Sequence, residues 1–470
     1  MSSPASSERS PDLYDQLNSA LDRMPTTSAH YWLFVLVAAG TLFNAIEQYN
    51  VGYAGPVLTE QWSLSQTAVG ALSTATFGAM AVGSLIAGFC GDRFGRKNTF
   101  MANILLFTVG SLLAALAPNY VVLLLARILI GIGLGGEISL GFTVVSELMP
   151  TRRRGAMTSG LSFVAGGIGI FAASGLAALV LGPLADSLGG EETAWRWLFG
   201  VMFLPAVLLV WYRRYIPETP RHLLRHGHVN ETNRILSLLA DGRLRSRPGD
   251  RVVRWIDGPE GVPARSGEEQ TRVSDLFARG VRSRTLISWI LTLCFFGGVV
   301  TFTIFIPTLL TSRGLSVGMS LAFATIANFA GLAGGIVGIF AAQLLRRRTV
   351  YVSGAIVLLL LALGLAVFTG PVATLVLAAG IQLVAQIVAG THWAYLPELF
   401  PTRVRATGAG SAATVGLAAS ALVDAYGAVA VFITLAVLYT VIAITAYRGP
   451  ETAGVGLIET VEQPAAPVRV

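Results

Sequence analysis

Twenty-five consecutive residues, Leu286–Leu310, carry no charged side chain, and Val350–Phe368 forms a second uncharged run. At 1.5 Å of rise per residue, helices of this length cross about 30 Å of hydrocarbon. Lipid offers the peptide groups no water, so such a run must satisfy its own backbone as a helix. Val121–Val145 is equally long but holds Arg127 and Glu137, two charges that need a reason to be there. The composition agrees: 53% of residues are hydrophobic and 13% charged, against roughly 25% charged in a soluble domain. Glycine, 52 of 470 residues, suits helices whose backbones approach closely in lipid.

Apolar runs between polar breaks predict twelve helices, at 31–54, 66–90, 99–118, 120–148, 155–184, 195–215, 284–311, 317–343, 349–369, 372–397, 407–426 and 428–447. The expected fold class is an all-α membrane protein with twelve transmembrane helices. Residues 1–30 are polar and lack the short apolar core of a cleaved signal, so the first span is expected to direct insertion. Cys90 and Cys294 lie in or beside spans and read as small apolar packing residues.

The basic residues set the orientation. With both termini inside, 30 of the 33 Lys and Arg fall in cytoplasmic segments, leaving Arg196 and Arg313 outside and Arg127 within a span. Positive flanks stay cytoplasmic, so the net charge of +7 reflects topology and does not point to nucleic acid.

The chain also repeats at an offset of 251 residues. "SELMPTRRRGA" (Ser146–Ala156) returns as "PELFPTRVRAT" (Pro397–Thr407), aligning Glu147 with Glu398 and Arg152 with Arg403. Pro56 falls on Pro307, Gly83 on Gly334, and Arg96–Lys97 on Arg347–Arg348. Two pseudo-symmetric six-helix bundles in the same orientation follow, at 31–214 and 283–447. They are flanked by a tail at 1–30, a linker at 215–282 and a tail at 448–470. Parallel halves with a site between them suit alternating access.

The motifs resemble the major facilitator superfamily. "GDRFGRKN" (Gly91–Asn98) is similar to its signature loop between helices 2 and 3, and "RILIGIGLGGE" (Arg127–Glu137) to its fourth helix. "PETPRHLL" (Pro217–Leu224), "PETAG" (Pro450–Gly454) and "GTHWAYLPELFPTRVRATG" (Gly390–Gly408) resemble the sugar-porter branch. "NAIEQYNVGYAGPVL" (Asn44–Leu58) resembles instead the first helix of aromatic-acid/proton symporters and niacin-type carriers. Asn44 and Glu47 stand where that pattern has two aspartates. The seventh helix lacks the paired glutamines of sugar porters.

An ionisable side chain within a span is costly and is a functional candidate by default. Glu47 and Arg127 are each expected about seven residues, roughly 10 Å, from the outer end of their helices. The resemblance places helices 1 and 4 beside the central cavity, so the two are expected to pair. Protonation of Glu47 would then release Arg127, whose planar fork binds a carboxylate bidentately. Glu137, nearer the cytoplasm, joins them as a proton-coupling candidate. Asn44, Gln48 and Asn50 cluster with Glu47 at helical spacings near three and are candidate substrate contacts. From the second half come Asn328, Gln382, Gln386, His392 and Trp393; Gln382 and Gln386 share one helix face.

By resemblance, Gly91, Asp92, Arg93, Gly95 and Arg96 form a cytoplasmic gate with Glu147, Arg152, Arg154, Glu218 and Arg221. Glu398, Arg403 and Arg405 are expected to answer from the other half. Gly91 and Gly95 are expected to allow a tight turn. No metal-ligand cluster or nucleophile–base pair stands out, so neither cofactor nor enzymatic activity is expected. The reading is a monomeric secondary transporter of the inner (plasma) membrane, a proton symporter for a small organic acid (an aromatic or nicotinate-like carboxylate) or related polar metabolite. A sugar carrier, a proton-coupled exporter and a non-transporting solute sensor are the alternatives.

Overall fold

A computed structural model describes residues 13–263, 273–278, 280–400 and 428–450, with residues 404, 408, 411, 412 and 415. Among these the chain is helical and contains no strand. Ten helices among the described residues are long and apolar enough to cross a membrane. A further apolar helix, Ala428–Arg448, occupies the place expected of the last span. Most of the helix expected at 407–426 lies outside the described residues.

The first span is longer than its sequence suggests, running Ser28–Gln61 straight through Pro56. Proline removes one hydrogen bond but does not stop a helix whose neighbours hold it. The second span, Gln66–Phe94, is also extended. Gly91, Asp92 and Arg93 therefore lie on helix, not in a loop. The turn is made by Gly95 alone, at φ 95°, before the third span, Arg96–Ala115. The fourth span is Tyr120–Leu148.

The fifth span is interrupted. Thr151–Phe163 passes into a π-helical turn, Val164–Gly169, before Ile170–Val180 resumes the α-helix. The sixth comprises Glu191–Gly200, a 3-10 turn and Pro205–Tyr215. In the second half, Arg282–Ser312, Val317–Leu344, Arg347–Val367 and Pro371–Glu398 are the seventh to tenth spans.

The glycine ladder of the fourth span explains its packing. Gly131 and Gly135 face the backbone of Thr76 and Met80 in the second span, while Gly133 and Gly136 face Asn103 and Phe107 in the third. Small residues are what let helices approach so closely in lipid. The repeat shows in the same detail. A methyl group on Gly83 would meet the carbonyl oxygen of Ile132, and one on Gly334 that of Leu383. Those four positions are related pairwise by the 251-residue offset.

Residues 13–30, expected as a tail, are partly built into the structure. Leu13–Arg23 is a helix whose Leu17 and Leu21 are buried. It meets the linker, where Gln16 Nε2 donates to the Asp257 carbonyl at 3.2 Å. The linker itself contains a second helix, Val229–Ala240.

Candidate functional site

In the first half, Glu47 and Arg127 meet as an ion pair, Oε1 to Nη1 at 2.7 Å, with both side chains fully buried. The extended first span puts Glu47 fourteen residues from its end at Gln61. Arg127, seven residues from the start of its own span at Tyr120, shares that level, so the first span runs on past the end of the fourth. Arg127 Nε donates to Thr76 Oγ1 at 2.9 Å, and its guanidinium lies 5.7 Å from the Phe199 ring centroid. Its Nη2 has no hydrogen-bond partner among the described residues. Asn50 Nδ2 donates to the Leu198 carbonyl at 2.9 Å and reaches Glu47 Oε2 at 3.4 Å. Gln48 is buried on the same span.

Asn44 does not join this group. Its amide donates to the Leu134 carbonyl at 2.9 Å and to Glu137 Oε2 at 2.5 Å. Helical spacing placed it near Glu47, but the close fourth span draws it sideways. Glu137 is fully buried and has no cation partner among the described residues, and its Oε1 accepts no hydrogen bond there. Gly40 makes room for it: a Cβ at that position would sit 2.9 Å from both Glu137 Oε1 and the Tyr212 hydroxyl.

A neutral cluster crosses between the halves. Tyr53, three residues beyond Asn50, has its hydroxyl 3.0 Å from Asn328 Nδ2. Gln382 Nε2 donates to Asn328 Oδ1 at 2.5 Å and to Thr303 Oγ1 at 3.1 Å. Gln386 Nε2 donates at 3.0 Å to the Gly166 carbonyl, inside the π-helical turn. A π turn shifts the carbonyl register, a device that recurs at functional sites.

Toward the Arg-rich end, Trp393 stacks on Phe142 of the first half, centroids 6.0 Å apart. Toward the opposite end the first and seventh spans touch, where a Cβ on Gly52 would lie 2.8 Å from Ile304. His392 stands apart from the amide cluster. It stacks on Phe295 at 4.9 Å and makes a short hydrogen bond with the Tyr351 hydroxyl. Tyr53, Thr76, Phe199, Thr303 and Tyr351 carried no signal of their own, because residues that meet only across spans leave no spacing in the sequence.

Of the basic residues expected at the gate of the first half, Arg96 alone forms ion pairs among the described residues, and it does so within its own half. Arg96 pairs with Asp92 at 2.7 Å and with Glu147 at 3.3 Å. Arg225, which the sequence did not single out, reaches Asp92 at 3.2 Å. Glu218 Oε1 accepts from the backbone amides of Arg96 and Thr219 at 2.9 and 3.0 Å. A side chain on Gly95 would collide with Glu218. Burial raises the Glu218 carboxyl above its ordinary range, opposed by those amides.

Glu398 pairs with Arg347 of its own half at 3.1 Å, and no ion pair joins described residues of the two halves. Each bundle's short pair is made before the other bundle is reached. Arg221 reaches Asn18 at 3.3 Å, Arg93 lies over Phe94, and Arg154 has a buried Nε without a partner among the described residues. Arg152 is exposed and enters no ion pair among the described residues. Arg403 and Arg405 lie outside the described residues.

Comparison with known proteins places this geometry. The model of the sugar (and other) transporter family matches residues 32–463. A putative metabolite transport protein of Escherichia coli, YdjK, is 28% identical, over 93% of this chain and 95% of its own. The niacin transporter NiaP of Acinetobacter baylyi is also 28% identical, over 93% of this chain and 98% of its own. Among solved structures, the partially occluded inward-open xylose transporter XylE of E. coli superposes with a TM-score of 0.69. It is 18% identical and covers 92% of this chain and 100% of its own. The chain belongs to the sugar (and other) transporter family: it is a multi-pass membrane transporter with the major facilitator fold.

Proposed function

We propose that the protein is a proton symporter for a small organic acid, of the aromatic or nicotinate-like class. The observation that carries this reading is the Glu47–Arg127 pair, buried completely and left with one guanidinium nitrogen unpartnered among the described residues. A buried ion pair is weak evidence of stability, because desolvation offsets much of the attraction. Its presence within a span points to use.

Protonation of Glu47 removes one charge, frees the Arg127 fork and leaves a cation for a carboxylate to neutralise. Substrate and proton then travel together, since neither alone leaves the core neutral. Glu137, which accepts from the Asn44 amide, serves as a second protonatable group. The amide cluster of Asn328, Gln382 and Gln386, with Tyr53, binds the rest of the ligand. Trp393 and Phe142 close the path toward the Arg-rich end, which the positive-inside rule assigns to the cytoplasm. The ion pairs of Asp92, Arg96 and Glu147 brace that end, and each such pair contributes little singly. One protomer holds every one of these groups, so the carrier works as a monomer. The niacin transporter named above supports the carboxylate class.

A sugar is the second reading, favoured by the neutral amides across the halves and by a D-xylose transporter that is 26% identical over 83% of this chain. De-energised, lightly buffered cells given pulses of aromatic acids, nicotinate, aliphatic carboxylates and sugars separate the two. External alkalinisation by a carboxylate alone is the expected result. Alkalinisation by a sugar replaces the substrate class, and labelled uptake without any pH change removes proton symport.

A further inference from the structure

The first half carries a pocket that the transport path does not use. It lies at the Arg-rich end, outside the bundle core, between the ends of the second, third and sixth spans and the linker helix. Its volume is about 710 Å³, within the range of small-molecule sites. Four cations line it, Lys97, Arg214, Arg234 and Arg245, against two carboxylates, Glu218 and Glu231.

The carboxylates are already engaged. Glu218 accepts from backbone amides, and Glu231 pairs with Arg234 at 3.1 Å. Lys97 Nζ donates to the Arg213 carbonyl at 2.8 Å. Arg214 and Arg245 are exposed and enter no ion pair among the described residues. Two unpaired guanidinium groups therefore face a space whose acids are occupied, and guanidinium matches phosphate oxygens in its fork geometry.

The position of the pocket selects the source of the phosphate. Phe94, on its wall, is 58% exposed. On the sixth span Phe203, Val207, Val210 and Trp211 form an exposed apolar stripe. At helical spacing that stripe runs down to Arg214 in the last turn. An apolar stripe ending in arginine is the profile of a helix leaving hydrocarbon at headgroup level. We propose that the pocket seats the phosphate of an anionic phospholipid from the inner leaflet, with its acyl chains along the sixth-span stripe. The bound lipid fastens the linker, through Arg245 and Arg234, to the ends of the second, third and sixth spans.

The test is native mass spectrometry of the delipidated full-length protein with phosphatidylglycerol, phosphatidylcholine, inorganic phosphate or ATP added. The wild type is expected to retain phosphatidylglycerol over phosphatidylcholine. Retention should fall about fivefold for each of Arg214→Gln and Arg245→Gln, the effect expected of one basic side chain at an anionic surface. Arg214→Lys should keep most of it, and Arg254→Gln, in an exposed pair with Asp257 away from the pocket, should change nothing. Equal retention of the two lipids, or no loss in the Arg214→Gln/Arg245→Gln double variant, overturns the proposal. Displacement of the lipid by micromolar ATP also overturns it, making the occupant a soluble phosphate compound.

Discussion

The Arg96–Glu147 pair has a twin, Arg347–Glu398, displaced by 251 residues and nearly equal in length at 3.3 and 3.1 Å. The Glu47–Arg127 pair has none: the corresponding positions hold Gly298 and Ala378. What repeats, then, is framework. The loop pairs and the glycine contacts at Gly83 and Gly334 fix how each bundle is built. What occurs once is the buried charge of the first half, which Glu47, Arg127 and Glu137 supply, while the second half offers the neutral Asn328, Gln382 and Gln386. In the proposed function, a site between such halves receives charge from one side and hydrogen-bonding amides from the other.

The largest expected effect comes from dividing the unrepeated pair. Arg127→Met leaves Glu47 an unpaired buried charge and should cost about 3–5 kcal/mol of stability. Thermal unfolding in detergent reads this. The double variant Glu47→Gln/Arg127→Met should recover most of the loss, and a double variant no more stable than the single one breaks the comparison. Next come the repeated glycines. Gly83→Ala and Gly334→Ala should each cost about 1–3 kcal/mol by overpacking, and by similar amounts. One tolerated and one damaging would show that the two halves do not share their framework.

A smaller and different effect is expected in the amide cluster. Gln382→Ala removes the donor to Asn328 and Thr303. It should raise the KM for substrate roughly tenfold, the scale of one or two lost hydrogen bonds. The proton-to-substrate ratio, measured by flux, should stay unchanged, and a changed ratio would place coupling in the second half as well. The smallest effect belongs to the repeated ion pairs. Arg347→Gln should shift stability by less than about 1 kcal/mol. Arg96→Gln should fall in the same range, although Arg96 also holds Asp92 and the Gly91 carbonyl.

Periodicity and charge made most of the fold legible. Spans appeared as uncharged runs, and the offset of 251 residues aligned Arg96 with Arg347 before any contact was known. The Glu47–Arg127 pairing was also legible once the family resemblance set the first and fourth spans side by side, since two unlike charges there have few other partners. The full length of the first span was not, because Pro56 reads as a helix end while packed neighbours carry the helix through it. Asn44 was misplaced for a related reason: sequence spacing gives the face of one helix but not the distance to the next. The π turn at Val164–Gly169 left only "VAGGIG", a string equally compatible with ordinary close packing. Glu218, capping the third span across 122 residues of chain, had no local signal of what it touches.

The central claim is that Glu47 carries the proton that drives uptake. Its most direct test uses proteoliposomes with an imposed pH gradient, comparing wild type with Glu47→Gln for uphill accumulation and for exchange of labelled against unlabelled substrate. The account predicts that the variant keeps exchange, because a neutral amide mimics the protonated acid, and loses accumulation. Accumulation by Glu47→Gln to the wild-type ratio would contradict it and leave the buried pair a structural brace.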